Sequence, residues 1–234
     1  TPWILQGIVF GLAAIATLKL QEPSVDSKKY NLKMMLRQNI IGFRELFKNL
    51  KIAQVTIVFM IIGAGYFIAV KILGISQGRE YGMDAQSVGI LFAVGYIISA
   101  LASQAFPKLK SWLGNRILLV ATIFVLISSF IFAKFTGIAI GSMLIISRIS
   151  TSTIFWNISS TILNPLIESK NRATSLSTFS LLYQLPYALL AYTIGGFLDT
   201  STPNQFALIL GIAIVGLLIM QQIVFSLIKP RAIS

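Results

Sequence analysis

The chain has 234 residues, of which 56% are hydrophobic and only 11% charged, with a mean hydropathy of +0.82. A soluble domain carries about 25% charged residues, so this composition is that of an integral membrane protein. No cysteine and no histidine are present, which excludes disulfides, thiolate or imidazole metal sites, Cys nucleophiles, Ser–His triads and imidazole proton relays. The net charge of +12 does not indicate nucleic acid, because the basic residues fall in loops between apolar spans.

Seven apolar segments are predicted as transmembrane helices. The first, Trp3–Leu18, is slightly short for a span. No basic region precedes it, so no signal peptide is expected, and the chain reads as a piece of something longer. A polar stretch, Lys19–Lys51, follows, with Lys28, Lys29, Lys33 and Arg37. Within it Leu36, Ile40, Phe43, Phe47 and Leu50 share one helical face and Arg37, Arg44, Lys48 and Lys51 the other. That pattern predicts an amphipathic helix at the membrane surface. The second span is Ile52–Leu73, with Gly63, Gly65 and Tyr66 near its centre and Lys71 near its end. A polar loop is expected over Ser76–Ser87. In the third span, Val88–Phe106, Gly95, Ser99 and Ser103 form a small-residue stripe that lets two helices approach closely. A basic loop, Pro107–Arg116, leads to the fourth span, Ile117–Ala133.

The fifth span lies within Gly137–Arg172 and holds Arg148, the one charge deep inside an apolar segment. At ~1.5 Å per residue, Arg148 lies about 16 Å from Gly137, roughly the midplane of a ~30 Å hydrocarbon core. A charge there is expected to face a partner or a watery cavity rather than lipid. Thr153, Asn157, Ser160 and Asn164 share one face of this helix, and Arg148, Ser152, Phe155 and Ser159 another. Two polar faces at membrane depth imply surroundings of protein or water. The sixth span, Ala173–Leu198, carries Gln184 and Pro186, which suggest a break or kink. A turn over Asp199–Gln205 precedes the seventh span, Phe206–Ile228, and a tail with Lys229 and Arg231.

Alternating crossings put fifteen of the 19 basic residues on one side and only Lys71, Arg79 and Lys134 on the other, with Arg148 in between. The basic side, with the C-terminus, is expected to be cytoplasmic, in a plasma or inner membrane. Two function classes fit poorly. A retinal protein needs a lysine inside its last helix, and Phe206–Ile228 has none. An intramembrane protease needs His ligands or paired carboxylates, and all seven acids sit in loops or at helix ends.

Several stretches together resemble the C-terminal part of a major facilitator superfamily transporter. TPWILQGIVFGLAAIATLKLQEP resembles that family's sixth helix running into its central loop, and FRELFKNLKIAQVTIVF its lead-in to helix seven. YGMDAQSVGILFAVGYIISALAS resembles the outer turn and helix eight. SRISTSTIFWNISSTILNPLIESKNRATSLSTFSLL, with Arg148, Pro165, Glu168, Arg172, Ala173, Thr174 and Ser177, resembles helices ten and eleven, and GGFLDT the close of helix eleven. The loop at Pro107–Arg116 departs from the family pattern, with Ser111 where an acid is usual.

The resemblance implies an all-α fold of seven transmembrane helices. Residues 1–20 are a sixth-type helix, 21–51 a cytoplasmic loop with an amphipathic helix, 52–228 a transporter half of two inverted three-helix repeats, and 229–234 a cytoplasmic tail. It implies alternating-access movement of a small solute, with export favoured by its prevalence in the family. The implied partners are a solute, the bilayer and an N-terminal half on the same or a separate chain. No enzyme activity, cofactor or metal is expected. Cavity candidates are Arg148, Thr153, Asn157, Asn164, Trp156, Tyr66, Lys71 and Gln184. For Arg148 the choice lies between a substrate contact, one side of a gating ion pair, and a structural cation satisfied by its neighbours. The alternative function is a non-transporting seven-helix bundle, receptor-like or scaffold.

Overall fold

Local capping sets the helix starts. Asn49 accepts a hydrogen bond from the Ile52 N–H at 2.9 Å, and Asp84 accepts one from the Ser87 N–H at 2.8 Å. Thr202 and Gln205 exchange side-chain-to-backbone bonds in a capping box, with Pro203 in the first helical position. The computed structural model describes residues 2–17 and 32–228. Among these, every regular element is a helix: α1 Pro2–Thr17, α2 Leu32–Leu46, α3 Leu50–Ile68, α4 Gly74–Glu80, α5 Ala85–Ile131, α6 Ile138–Leu163, α7 Arg172–Thr200 and α8 Pro203–Ile228. The expectations for residues 18–31 and the tail 229–234 lie outside the described residues. The chain divides into two units, one holding α1 and one beginning at Leu36. In the first, α1 is a 16-residue apolar helix with Pro2 at its start.

Five helical runs are long and apolar enough to cross a membrane: Leu50–Glu80, Ala85–Phe135, Ile138–Leu166, Ser169–Thr200 and Pro203–Ile228. The sequence reading counts seven. The difference has two sources. The 16 residues of α1 fall short of a span, and the third and fourth spans are joined in one helical run. Helix also replaces two expected loops. A π-helical turn at Ala69–Leu73 joins α3 to α4, so helix continues through Ser76 and Gln77 to Glu80. Residues 107–113 are helical as well. Of the expected break or kink at Gln184 and Pro186, a break is not seen, since α7 continues through both.

The long helix α5 is not one rod. Gly114 within it has φ 75° and ψ 164°, a conformation essentially confined to glycine. Side-chain pairs give the direction on either side of it. Gly95, Ser99 and Ser103 meet Ile149, Thr153 and Asn157, each 54 residues on, so residues 85–113 run parallel to α6. The expected small-residue stripe is thus the seam where α6 packs. Tyr66 meets Thr151, Gly63 meets Trp156 and Gln77 meets Arg148, so α3–α4 run antiparallel to α6. Gln54 pairs with Gln222 and Gln77 with Asn204, so α8 also opposes α3–α4. Leu126 and Ile214 meet at Gly65, and Phe130 meets Gly211, so residues 115–131 oppose α8. The chain therefore reverses direction at Gly114. Finally, Gly63 and Phe67 meet Tyr183 and Tyr187 at a constant spacing, so α7 runs parallel to α3.

The core lies where α3 and α6 cross the other helices. Phe59, Ile62, Tyr66, Leu126, Phe130 and Phe155 are at most 1% exposed. Gly65 permits this closeness, since a Cβ there would lie 2.7 Å from Ile214 Cδ1.

Candidate functional site: a buried arginine relay and an aromatic groove

Arg148 is 2% exposed. Its Cα lies about 15 Å along α6 from Ile138, but the side chain leans toward the helix N-terminus, as helical side chains do. Its Nη2 reaches Gln77, donating to Oε1 at 2.6 Å. Gln77 Nε2 donates in turn to Asn204 Oδ1 at 2.9 Å, and the Asn204 N–H donates to Glu80 Oε2 at 2.7 Å. The guanidinium also lies 5.2 Å from the Phe130 ring centre, within cation–π range. The charge is thus held nearer the α4 end than its Cα depth suggests. Among the described residues no carboxylate pairs with it. The ion pairs among the described residues are Lys48–Glu45 at 3.0 Å and Lys170–Glu168 at 3.1 Å. Nη1 is buried without a hydrogen-bond partner among the described residues.

The hydroxyl-and-amide face of α6 is spent mainly on its neighbours. Thr153 shares a hydrogen bond with Ser99, and Asn157 donates to Ser103 at 3.3 Å. Asn164 donates to Ser160 on its own helix at 3.1 Å, while its Oδ1 stays buried and unpaired. Tyr66 is 1% exposed and donates to the Thr122 carbonyl at 2.7 Å. Gln184 donates to the Ser180 carbonyl at 2.9 Å. Lys71 sits exposed in the π turn. Of the eight sequence candidates, Trp156 lines a groove.

That groove, of about 270 Å³, lies between α6 and α7 and is lined by Trp156, Ser159, Ser160, Phe179, Ser180 and Tyr183, with Leu176 at one side. Trp156 and Tyr183 face each other with ring centres 4.4 Å apart, and Phe67 and Tyr187 continue the aromatic surface at 5.4 Å. Gly63 makes room for the pair, since a Cβ there would lie 3.1 Å from both Trp156 and Tyr183. The depth of this surface is its notable property. Trp156 lies about 15 Å from Leu166, and Tyr183 about 16 Å from Arg172. Both are therefore near the middle of a ~30 Å core, whereas Trp and Tyr normally gather at the interfaces. Trp156 Nε1 and the hydroxyls of Tyr183 and Tyr187 appear in no hydrogen bond among the described residues. An unpaired donor in hydrocarbon is costly, so these tips mark a surface built to meet something polar.

Sequence reasoning missed Gln77, Asn204, Tyr183 and Tyr187. Gln77 carried no spacing signal, because the π turn at Ala69–Leu73 shifts its register against Tyr66 by about one residue. Neither His nor Cys is available to hold a metal, and no cluster of Asp and Glu gathers among the described residues. The arrangement offers stacking surface, hydroxyls and amides.

No family model, curated protein or solved structure matches this chain.

Proposed function

We propose that this chain is one half of a transmembrane transporter that moves a small solute by alternating access. The observation that carries the proposal is the symmetry of the helix pairings. Exchange α3–α4 with α6, residues 85–113 with α7, and residues 115–131 with α8. The parallel pair α3/α7 then becomes the parallel pair of α6 with residues 85–113. The opposed pair α3–α4/α8 becomes the opposed pair of α6 with residues 115–131, where Arg148 meets Phe130. The two remaining pairings map onto themselves. That is the behaviour of two three-helix repeats of inverted orientation, the plan on which many transporters are built. It supports six crossings in residues 50–228, in agreement with the family resemblance.

On this reading the aromatic groove between α6 and α7 faces the solute path, and the partner half closes over it. The basic ends of the helices face the cytoplasm. The acids in the described spans, Glu80 and Asp199, lie within one residue of the ends of their runs, so a proton-titrating carboxylate belongs to the other half if one is used. Export is an analogy from the family alone.

The test is flux. The chain, purified together with any chain that accompanies it, is reconstituted into liposomes and offered a panel of small neutral solutes carrying aromatic rings. Saturable flux is expected, reduced at least tenfold by Trp156→Ala or Tyr183→Ala and retained by Trp156→Phe. If no solute crosses saturably with both halves present, the reading fails and the non-transporting bundle, receptor-like or scaffold, takes its place.

A further inference from the structure

Outside the solute groove, one feature that combines shape with charge is at the basic end of the bundle. A groove of about 490 Å³ runs between α2 and α7. Leu36, Ile40 and Phe43 of α2 and Leu181 and Leu182 of α7 line it, with Asn39 and Thr178 as its polar members. It is held open by a fixed contact. Gly42 packs directly on the Thr178 hydroxyl and the Thr174 carbonyl, where a Cβ would lie 3.0 Å from that carbonyl oxygen. Glu45 ties the same helix to Asn171 at 3.3 Å. The docked side of α2 is therefore its Gly42–Leu46 side, and the apolar stripe beside it stays open. Leu36, Ile40 and Phe43 are 58%, 54% and 48% exposed.

Arg37 and Arg44 flank this stripe. They are seven residues apart, on one face about 10 Å apart along the axis, and both are exposed. Neither makes an ion pair or hydrogen bond among the described residues. An apolar slot open beside two free guanidiniums, at the end of the spans where the basic residues gather, has the chemistry of one ligand. We propose that the groove between α2 and α7 binds an anionic phospholipid. Its acyl chain lies along Leu36, Ile40, Phe43, Leu181 and Leu182, and its phosphate is held by Arg37 and Arg44. Arginine suits this role because its planar fork matches phosphate oxygens, and basic segments beside membrane spans attract anionic lipid. The bound lipid fixes the angle at which α2 enters the bilayer surface. The proposal stands on α2 and α7 alone and is independent of the transport reading.

The experiment is lipid retention by the purified full chain, read by native mass spectrometry after exchange into equimolar phosphatidylglycerol and phosphatidylcholine. A preference of about tenfold or more for phosphatidylglycerol is expected, with about one lipid retained per chain. The double variant Arg37→Gln/Arg44→Gln should bring the ratio to about one without lowering the Tm in zwitterionic detergent, since neither arginine supports the fold. Ile40→Trp, which fills the slot and keeps both arginines, should also release the lipid. Free inorganic phosphate should not compete. Equal retention of the two lipids by the wild type overturns the proposal. A preference that survives the double arginine variant also overturns it, as does one that Ile40→Trp leaves intact, which would indicate surface adsorption, or one that inorganic phosphate abolishes.

Discussion

Arg148 and Gln77 are the one buried charge among the described residues and the amide that answers it. Neutral polar contacts between membrane helices contribute only about 0.6 kcal/mol each, so Ser99–Thr153 and Ser103–Asn157 set register more than stability. Arg148 is different because its alternative is an unmet charge. Removing the acceptor leaves a guanidinium in a low-dielectric setting, which costs about 2–4 kcal/mol. Gln77→Leu is therefore expected to lower unfolding stability in detergent by roughly that amount. The double variant Gln77→Leu/Arg148→Met should be less destabilised than the sum of its parts, because it removes the charge as well. A thermal-unfolding cycle on the four proteins measures this. Additivity within about 0.5 kcal/mol would mean that the two residues do not interact. The spare donor at Nη1 leaves Arg148 able to take a second partner when the helices shift.

The π turn at Ala69–Leu73 decides which residue answers Arg148. It takes up one extra residue between α3 and α4, so Gln77 faces α6 where a regular helix one residue shorter would put it. Deleting Val70 is therefore expected to restore regular helix and leave Gln77 on α6, whereas one alanine inserted between Gly74 and Ile75, with no bulge to absorb it, should swing Gln77 about 100° away. In the insertion background the coupling between Arg148 and Gln77 should fall to zero in the same thermal cycle, and in the deletion background it should persist. The Tyr66 bond to the Thr122 carbonyl lies before the turn and should persist in both. A coupling lost on deleting Val70 would show that the turn does more than take up one residue. This turn also explains where sequence reading stopped. The apolar spans and the amphipathic α2 were legible because lipid demands long hydrophobic runs and an interface demands two faces. Ser76 and Gln77 lower the local hydropathy, so they read as loop, although helix carries them into the bundle. A π turn changes no residue type and leaves no mark in composition. For the aromatics the limit is packing. Tyr66 and Tyr183 are alike in sequence, but Tyr66 spends its hydroxyl on Thr122 and Tyr183 opens onto a groove. Which tyrosine is free depends on helices more than fifty residues away.

For the whole molecule the governing quantity is the number of crossings between Leu50 and Ile228. The 47 residues of α5 would extend about 70 Å as a straight helix, more than twice a ~30 Å core. The side-chain registers instead require a reversal at Gly114, and the symmetry that supports the transport reading depends on it. Because the chain has no cysteine, single cysteines report sidedness without background. Trp112→Cys, beside the reversal at an 81% exposed position, and Lys170→Cys should react with a membrane-impermeant maleimide from one face of sealed vesicles. Gln86→Cys and Lys134→Cys, at the far ends of the two halves of that run, should react together from the opposite face. If Ala85–Phe135 crossed only once, Gln86 and Lys134 would label from opposite sides. The inverted pairing of the first three helices with the last three would then have no membrane to be inverted across. Labelling of Gln86 and Lys134 from the same face gives an even count of crossings from α3 to α8. The beginning of α3 and the end of α8 then lie on one side, where the basic residues are concentrated and where α2 presents its open groove to the lipid surface.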